Sequence, residues 1–211
     1  MCGVTSQART LDSRERLLLA TEQLYAERGP GVSLRDIAVA AGQRNNSAVN
    51  YHFGSRDGLI EYVIDRRTTA MEEKRTLLLA AAAGTDPDLP ALVRILVDPM
   101  LTVPYDQGST HYARFLEQVR AYPVIVDWLR GDRQWSATKK VTDLIARHLD
   151  HLPARARGRR IATASTVLFA LAADRERAVT AARPAPSPEE ITAILIATLR
   201  ADPKSLRPQR Q

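Results

Sequence analysis

The chain is punctuated as a succession of helices, and that punctuation limits the folds open to it more than any other feature. Asp12 stands three residues before Glu15, the spacing of a capping box, and Leu17, Leu18, Ala20, Thr21, Leu24 and Tyr25 follow at helical intervals until Gly29-Pro30. Ser33 with Asp36 opens a second segment that turns Leu34, Ile37, Ala38 and Ala41 inward and ends at Gly42. A short third segment, about Asn46 to Phe53, closes at Gly54. Ser55 then caps a long fourth one that runs to about Ala83 and stops at Gly84. Further helices are expected near 88–102, 109–121, 124–150, 154–182 and 188–201, separated by "VPYDQGS", "AYP", "HLP" and "RPAPSP". Ser187-Pro188-Glu189-Glu190 combines an N-cap, a proline at the first helical position and a glutamate at the third. No segment alternates over more than a few residues, so the expectation is all-α with about nine helices.

Composition removes several function classes. A hydrophobic fraction of 45% over 211 residues is that of a globular chain, and the scarcity of aromatics beside abundant Ala, Leu and Arg suits helices. The single cysteine, Cys2, allows neither a disulfide framework nor a cysteine-based metal site. "MCGVTSQART" has no apolar h-region, and the near-apolar run Ala162 to Ala173 is too short to span a bilayer, so a cytoplasmic location with no membrane partner is expected. The tail 202–211 is polar and reads as disordered. The net charge of +6 leans toward polyanions. Residues 1–83, however, hold 11 basic and 10 acidic groups against 19 and 14 in the remainder, so contact with a polyanion near the N-terminus must rest on a few placed residues.

The stretch "AGQRNNSAVNYHFGSRDGLI" is where such residues gather. Two helices joined by a tight glycine turn, the second exposing Arg, Asn and Ser, suggest a helix-turn-helix over about 33–53. The major groove admits one helix, and short polar side chains at its N-terminal end read base edges; Arg can bridge guanine O6 and N7, and Asn adenine N6 and N7. Arg44, Asn45, Asn46, Ser47 and Asn50 are the base-reading candidates, with Ala48, Val49 and Phe53 tying the helix to its neighbours. Ser33 and Ser55 sit at helix N-termini, where free N–H groups and the dipole attract phosphate, and the same residues also serve as plain N-caps.

These residues carry a resemblance. "SLRDIAVAAG…SAVNYHFGSRDGLIEYVI" resembles the N-terminal domain of the TetR family of bacterial transcriptional regulators, through Ile37, Ala38, Ala41, Gly42, Tyr51, His52, Phe53, Ser55 and Arg56. The motif-bearing match covers roughly residues 10–65. Gly42 to Phe53 is one residue longer than the family's commonest spacing, and "QRNNS" replaces its Val-Ser-x-Gly start, which leaves open which of Arg44, Asn45 and Asn46 faces the bases. The resemblance implies phosphate contacts from Tyr51, His52, Ser55 and Arg56, with Ser33 analogous; a half-buried structural imidazole is the other reading of His52. It also implies a domain at 10–65 that binds double-stranded DNA at a near-palindromic operator, and a domain at 66–201 for effector binding and dimerisation. The function so implied is that of a homodimeric regulator, a repressor released by a small molecule.

A single recognition helix offers too little contact for tight binding, so a self-association surface is expected. "IATASTVLFALAA" is dense in small residues and "ITAILIATLR" is apolar nearly all round, which makes Thr166, Phe169, Ala170, Ala173, Ile191, Ile194, Leu195 and Thr198 the dimer-interface candidates. Six of the eleven aromatics fall between Tyr105 and Trp135. Tyr105, Tyr112, Phe115, Tyr122, Trp128 and Trp135, with Met71 and Met100, are candidates for lining a largely apolar effector pocket, although such a stripe is equally the pattern of a core. A ligand preferring another tilt of the long fourth helix would change the separation of the recognition helices.

Two rival classes are weighed beside this. No Gly-rich phosphate loop, nucleophile elbow or suitable cysteine marks an enzyme, and no catalytic residue, metal or cofactor is assigned. His148 and His151 near Asp143 and Asp150, with His111 elsewhere, read as helix-end residues rather than a metal corner. A helical protein-interaction module without specific DNA binding, using Arg155, Arg157, Arg159 and Arg160, is the alternative.

Overall fold

The structure is a computed structural model that describes residues 12–43, 47–122 and 135–201, with the main chain only at Ala48. Among these residues every regular element is helical: α1 Ser13–Arg28, α2 Leu34–Ala40, α3 Ser47–Phe53, α4 Arg56–Ala81, α5 Leu89–Asp106, α6 Tyr112–Val119, α7 Ser136–Arg147, α8 Ala154–Thr180 and α9 Pro188–Arg200. The caps do what their chemistry dictates. Asp12 Oδ1 accepts from Glu15 N (2.8 Å), Ser33 Oγ from Asp36 N (3.1 Å) and Ser55 Oγ from Gly58 N (3.0 Å). At α9 both halves of the capping box between Ser187 and Glu190 form.

The first three helices and the start of α4 close around Leu17, Leu18, Tyr25, Ile37, Ala38, Val49, Leu59 and Ile60, all buried. Gly42 holds a φ of +73° in the turn after α2, a conformation that side chains resist. Gly58 matters for a different reason. A Cβ there would stand 2.2 Å from the Phe53 carbonyl oxygen, so its absence lets the first turn of α4 cross directly under the end of α3.

From there α4 runs on to pack against α5 and α7, while α6 lies between α1 and α8, and α9 closes over α5 and α8. Two expected boundaries move. The segment "VPYDQGS" was expected to be a loop, yet α5 continues to Asp106 through Pro99 and Pro104, both buried. Each proline removes a ladder donor at a cost of about 3 kcal/mol. Burial of Leu92, Val93, Val97 and Met100 on the same helix offsets it. The helix expected over 124–150 is described only from Ser136, because 123–134 lie outside the described residues. Trp135 has no side-chain cap for it, and Glu72 of α4 supplies one instead, accepting from Ala137 N (2.9 Å), Thr138 N (3.1 Å) and the Thr138 hydroxyl. The described residues contain no helix long and apolar enough to cross a membrane.

Candidate nucleic-acid interface and an open cavity

The short α3 is anchored through its apolar side. Val49 is fully buried and Phe53 packs on Tyr62 of α4 with ring centroids 4.9 Å apart. The opposite face carries Ser47 and Asn50, both exposed, and Tyr51, 86% exposed. Arg44, Asn45 and Asn46 lie outside the described residues. His52 is half-buried between Tyr51 and Phe53, with ring centroids at 5.1 and 5.9 Å, and its Nδ1 is buried without a hydrogen-bond partner. Ser33 and Ser55 are exposed caps. Arg56 turns back into the protein: Nη1 donates to the Tyr25 hydroxyl (3.1 Å) and the Pro30 carbonyl (3.2 Å), bracing the start of α4 on α1. Burial pushes the Tyr25 hydroxyl up to about 12, so it stays protonated.

Behind this unit sits a buried ionic cluster that the sequence reading missed. Arg67 of α4 is fully buried and grips Glu22 of α1 with Nε to Oε1 at 2.8 Å and Nη2 to Oε2 at 3.2 Å. Ser109, in the α5–α6 connection, donates to Glu22 Oε2 (2.6 Å), and Arg67 Nη1 reaches Gln107 Oε1 (3.2 Å). Burial raises the Glu22 carboxyl above its ordinary value although Arg67 and Ser109 pull it down. The available signal was periodicity. Glu22 falls on the α1 stripe of Leu18 and Tyr25, and Arg67 on the α4 stripe of Val63, Ile64 and Met71; a charge on an apolar stripe requires a partner.

Ser109 faces two ways. Besides Glu22, it lines a cavity of about 500 Å³ bounded also by Leu101, Tyr105, Thr110, His111, Arg175, Glu176, Val179 and Thr180. Glu176 of α8 is buried there and fully engaged. It accepts from the Tyr105 hydroxyl (2.8 Å), Ala113 N (2.9 Å) and Arg114 Nε (2.8 Å). Burial, and then the Glu176 charge, drive the Tyr105 hydroxyl far upward, so it remains a donor. His111 Nδ1 pairs with the Thr110 hydroxyl (2.6 Å), and Nε2 lies 3.7 Å from Glu27 of α1. Desolvation, aided by Arg114, lowers its pKa below the ordinary 6.5.

Of the aromatic and methionine candidates, Tyr105 lines this cavity. Tyr112, Phe115, Met71 and Met100 are buried core residues. Tyr122 stands beside Tyr25 and Trp135 is half-buried against the core, while Trp128 lies outside the described residues. The eight dimer candidates divide by face. Phe169, Ala173, Ile191 and Leu195 are buried inside the protomer, because α8 and α9 turn these positions to α5 and α6. Thr166 and Ala170 are exposed, Ile194 is 43% exposed and Thr198 half-exposed. Arg160 donates to the Thr198 and Leu199 carbonyls at the end of α9. His148 bonds the Pro87 carbonyl (3.1 Å), and no group of three or more His, Cys, Asp or Glu among the described residues could hold a metal ion.

Residues 17–63 match the family model described as bacterial regulatory proteins, tetR family. No curated protein matches the chain. Solved structures similar in fold include a candidate tetR-family transcription regulator from Shewanella sp. PV-4, at 16% identity over 90% of this chain and 96% of that one, with a TM-score of 0.58. A transcriptional regulator from Rhodococcus sp. RHA1 is 21% identical over 89% of this chain and 94% of the other, with a TM-score of 0.54. At these identities the likeness is one of fold. About nine-tenths of the chain shares the helical architecture of these two proteins, and residues 17–63 match the family model.

Proposed function

We propose that this chain, a TetR-family protein by its N-terminal domain, is a homodimeric DNA-binding regulator, a repressor released from a near-palindromic operator by a small molecule. The observation that carries the reading is α3 itself. It is anchored through Val49 and Phe53, and its outward face carries Asn50 and Tyr51, both polar and exposed, beside Ser47. A helix so presented fits a major groove, with Asn50 and Ser47 at base edges beside the 44–46 segment and Tyr51, His52, Ser33 and Ser55 toward phosphates. Arg56 contributes by fixing α4 on α1, and its remaining donors serve phosphate.

The division of labour falls at about residue 65: 10–65 reads DNA, and 66–201 dimerises and binds the effector. The outward faces of α8 and α9, with Thr166, Ala170, Ile194 and Thr198, meet their copies in a twin. Their small and apolar side chains suit close helix approach. Ligand coupling runs through Ser109. A molecule that moves the α5–α6 connection disturbs the hydrogen bond to Glu22, and Glu22 belongs to α1 and is clamped to α4 by Arg67. The two DNA-proximal helices then shift together relative to the dimer face.

Footprinting of the purified protein on an operator selected from random sequence, at two salt concentrations, tests the reading. A protected near-palindrome whose affinity falls steeply with salt is expected. A salt-insensitive interaction without a protected site refutes it.

A further inference from the structure

The cavity beside Ser109 has a charge pattern that selects among ligands. We propose that it takes an amphipathic monocarboxylate, with the carboxylate on Arg175 and the apolar chain along Leu101, Tyr105 and Val179; this rests on the effector reading above and names the chemistry of that site.

Glu176, the only carboxylate among the described residues of the cavity wall, accepts from Tyr105, Ala113 and both Nε and the main-chain N of Arg114. Four donors occupy its two oxygens and Arg114 neutralises it, so it has nothing left for a ligand amine. The pair is neutral overall, and Arg114 keeps one buried donor, Nη2, without a hydrogen-bond partner. His111 is kept neutral around pH 7 by desolvation and by Arg114, and its Nδ1 is taken by Thr110.

Arg175 differs from the other charged groups of the wall. Its Nη1 donates to the Pro186 carbonyl in the α8–α9 connection, which fixes the guanidinium without neutralising it. No carboxylate among the described residues stands within ion-pair distance of it. Glu189 senses its charge, but Glu189 is exposed and turned to its own helix cap at Ser187. A guanidinium has five donors in a planar fork that matches a carboxylate, and one of them is used. Thr110 and Thr180 share the same wall, their hydroxyls engaged by His111 Nδ1 and the Glu176 carbonyl. The remaining lining is largely apolar, from Leu101, the Tyr105 ring and Val179, the last 61% exposed. Such a site pairs one anionic head with a hydrocarbon body. A cationic ligand would face Arg175 with no free carboxylate, and a neutral one would leave the guanidinium unpaired against an apolar wall.

Calorimetric titration with octanoate, octanol and octylamine tests the assignment on the full chain. Octanoate is expected to bind at least about tenfold tighter than either analogue, the value of a charge-assisted pair. Arg175→Gln is expected to lose that tenfold for octanoate and leave octanol unchanged, while Arg175→Lys retains part of it. Melting temperatures of both variants report whether the fold persists, and the octanol affinity serves as an internal control for an intact cavity. Octanol or octylamine binding as well as octanoate, no binding of octanoate, or Arg175→Gln binding octanoate normally, each overturns the proposal. Release of the selected operator is read separately. Octanoate that binds through Arg175 without releasing DNA leaves the ligand class standing and refutes effector release; release by a cation or neutral compound alone does the reverse.

Discussion

Replacing Arg67 by Met should cost about 3–5 kcal/mol at pH 7, because it strands Glu22 in a site that is 1% exposed. The pair's attraction is large in gross terms: at 2.8 Å and an effective dielectric constant of 20 it is about 6 kcal/mol. Desolvating two ions consumes several kcal/mol each, so the net contribution to folding is near zero. Only the single removal is expensive. Its cost is also pH-dependent in a calculable way. Without Arg67, Glu22 escapes the penalty by taking a proton, which from its ordinary value of 4.5 costs about 3 kcal/mol at pH 7. The folded-state pKa is then raised well above the unfolded one, so the folded variant binds the extra proton and its deficit shrinks as pH falls, by about 1.4 kcal/mol per pH unit between pH 7 and pH 5.

Urea denaturation followed by circular dichroism, with parent and variant compared at each pH, measures this. The double variant Glu22→Leu/Arg67→Met removes both charges and is expected within about 1 kcal/mol of the parent, or above it. It should bind operator DNA but respond to effector far less, because Ser109 has lost its acceptor on α1. A pH-independent deficit in Arg67→Met, or a double variant as damaged as the single one, refutes the energetic reasoning. A fully inducible double variant refutes the coupling.

Four further outcomes are expected. Gly58→Ala forces α4 away from the Phe53 carbonyl and should lose about 1–3 kcal/mol, as overpacked sites do, whereas a helix-interior glycine with open space would gain on the same change; urea titration decides. Asn50→Ala should weaken operator binding by about 1–3 kcal/mol with the salt slope unchanged, since a base contact releases no counterions; a changed slope with unaltered specificity argues for a phosphate role. The stability contributed by neutral His111 is present above its ordinary value of 6.5 and is lost as pH falls from there toward its lower folded value, so His111→Asn should flatten the acid limb of the stability profile; an unchanged limb refutes the burial argument. Ala170→Glu with Ile194→Glu places charges on the outward faces of α8 and α9 and should halve the mass in sedimentation; an unchanged mass moves the self-association surface elsewhere.

What could be read from the sequence follows the range of the forces involved. Caps act over three or four residues, and Asp12, Ser33, Ser55 and Ser187 all cap the helices expected of them. The α3 anchor at Val49 and Phe53 was legible for the same reason, as was the polar outer face. The passage of α5 through Pro104 to Asp106 was not, because the local cost of proline is outweighed by burial against helices distant in sequence. The cap of α7 escaped notice because its carboxylate, Glu72, comes from α4. The cavity wall escaped too. Tyr105 lines it, and Ser109, Arg175 and Glu176 are ordinary polar residues whose meeting depends on how α5, α6 and α8 cross.

That separation bears on how a signal could cross the molecule. Helix α1 carries both contacts that matter, and they lie three residues apart on one face: Glu22 joins Ser109 at the cavity, and Tyr25 joins Arg56 at the start of α4. Arg67, eleven positions and about three turns along α4 from Arg56, returns to Glu22. Helices α1 and α4 are therefore tied at two points with α1 as the shared side. Two ties resist sliding of one helix along the other far better than one tie and leave rotation of the pair as a body. A ligand displacing Ser109 would then swing the whole reading unit, rather than unfold or shear it, and α3 would move as far as its rigid attachment through Phe53 and Tyr62 carries it. Cutting one tie by Tyr25→Phe should loosen α4 and make operator affinity less sensitive to effector while leaving ligand affinity at the cavity unchanged. An equal loss of both would mean that the ties hold the fold and transmit nothing.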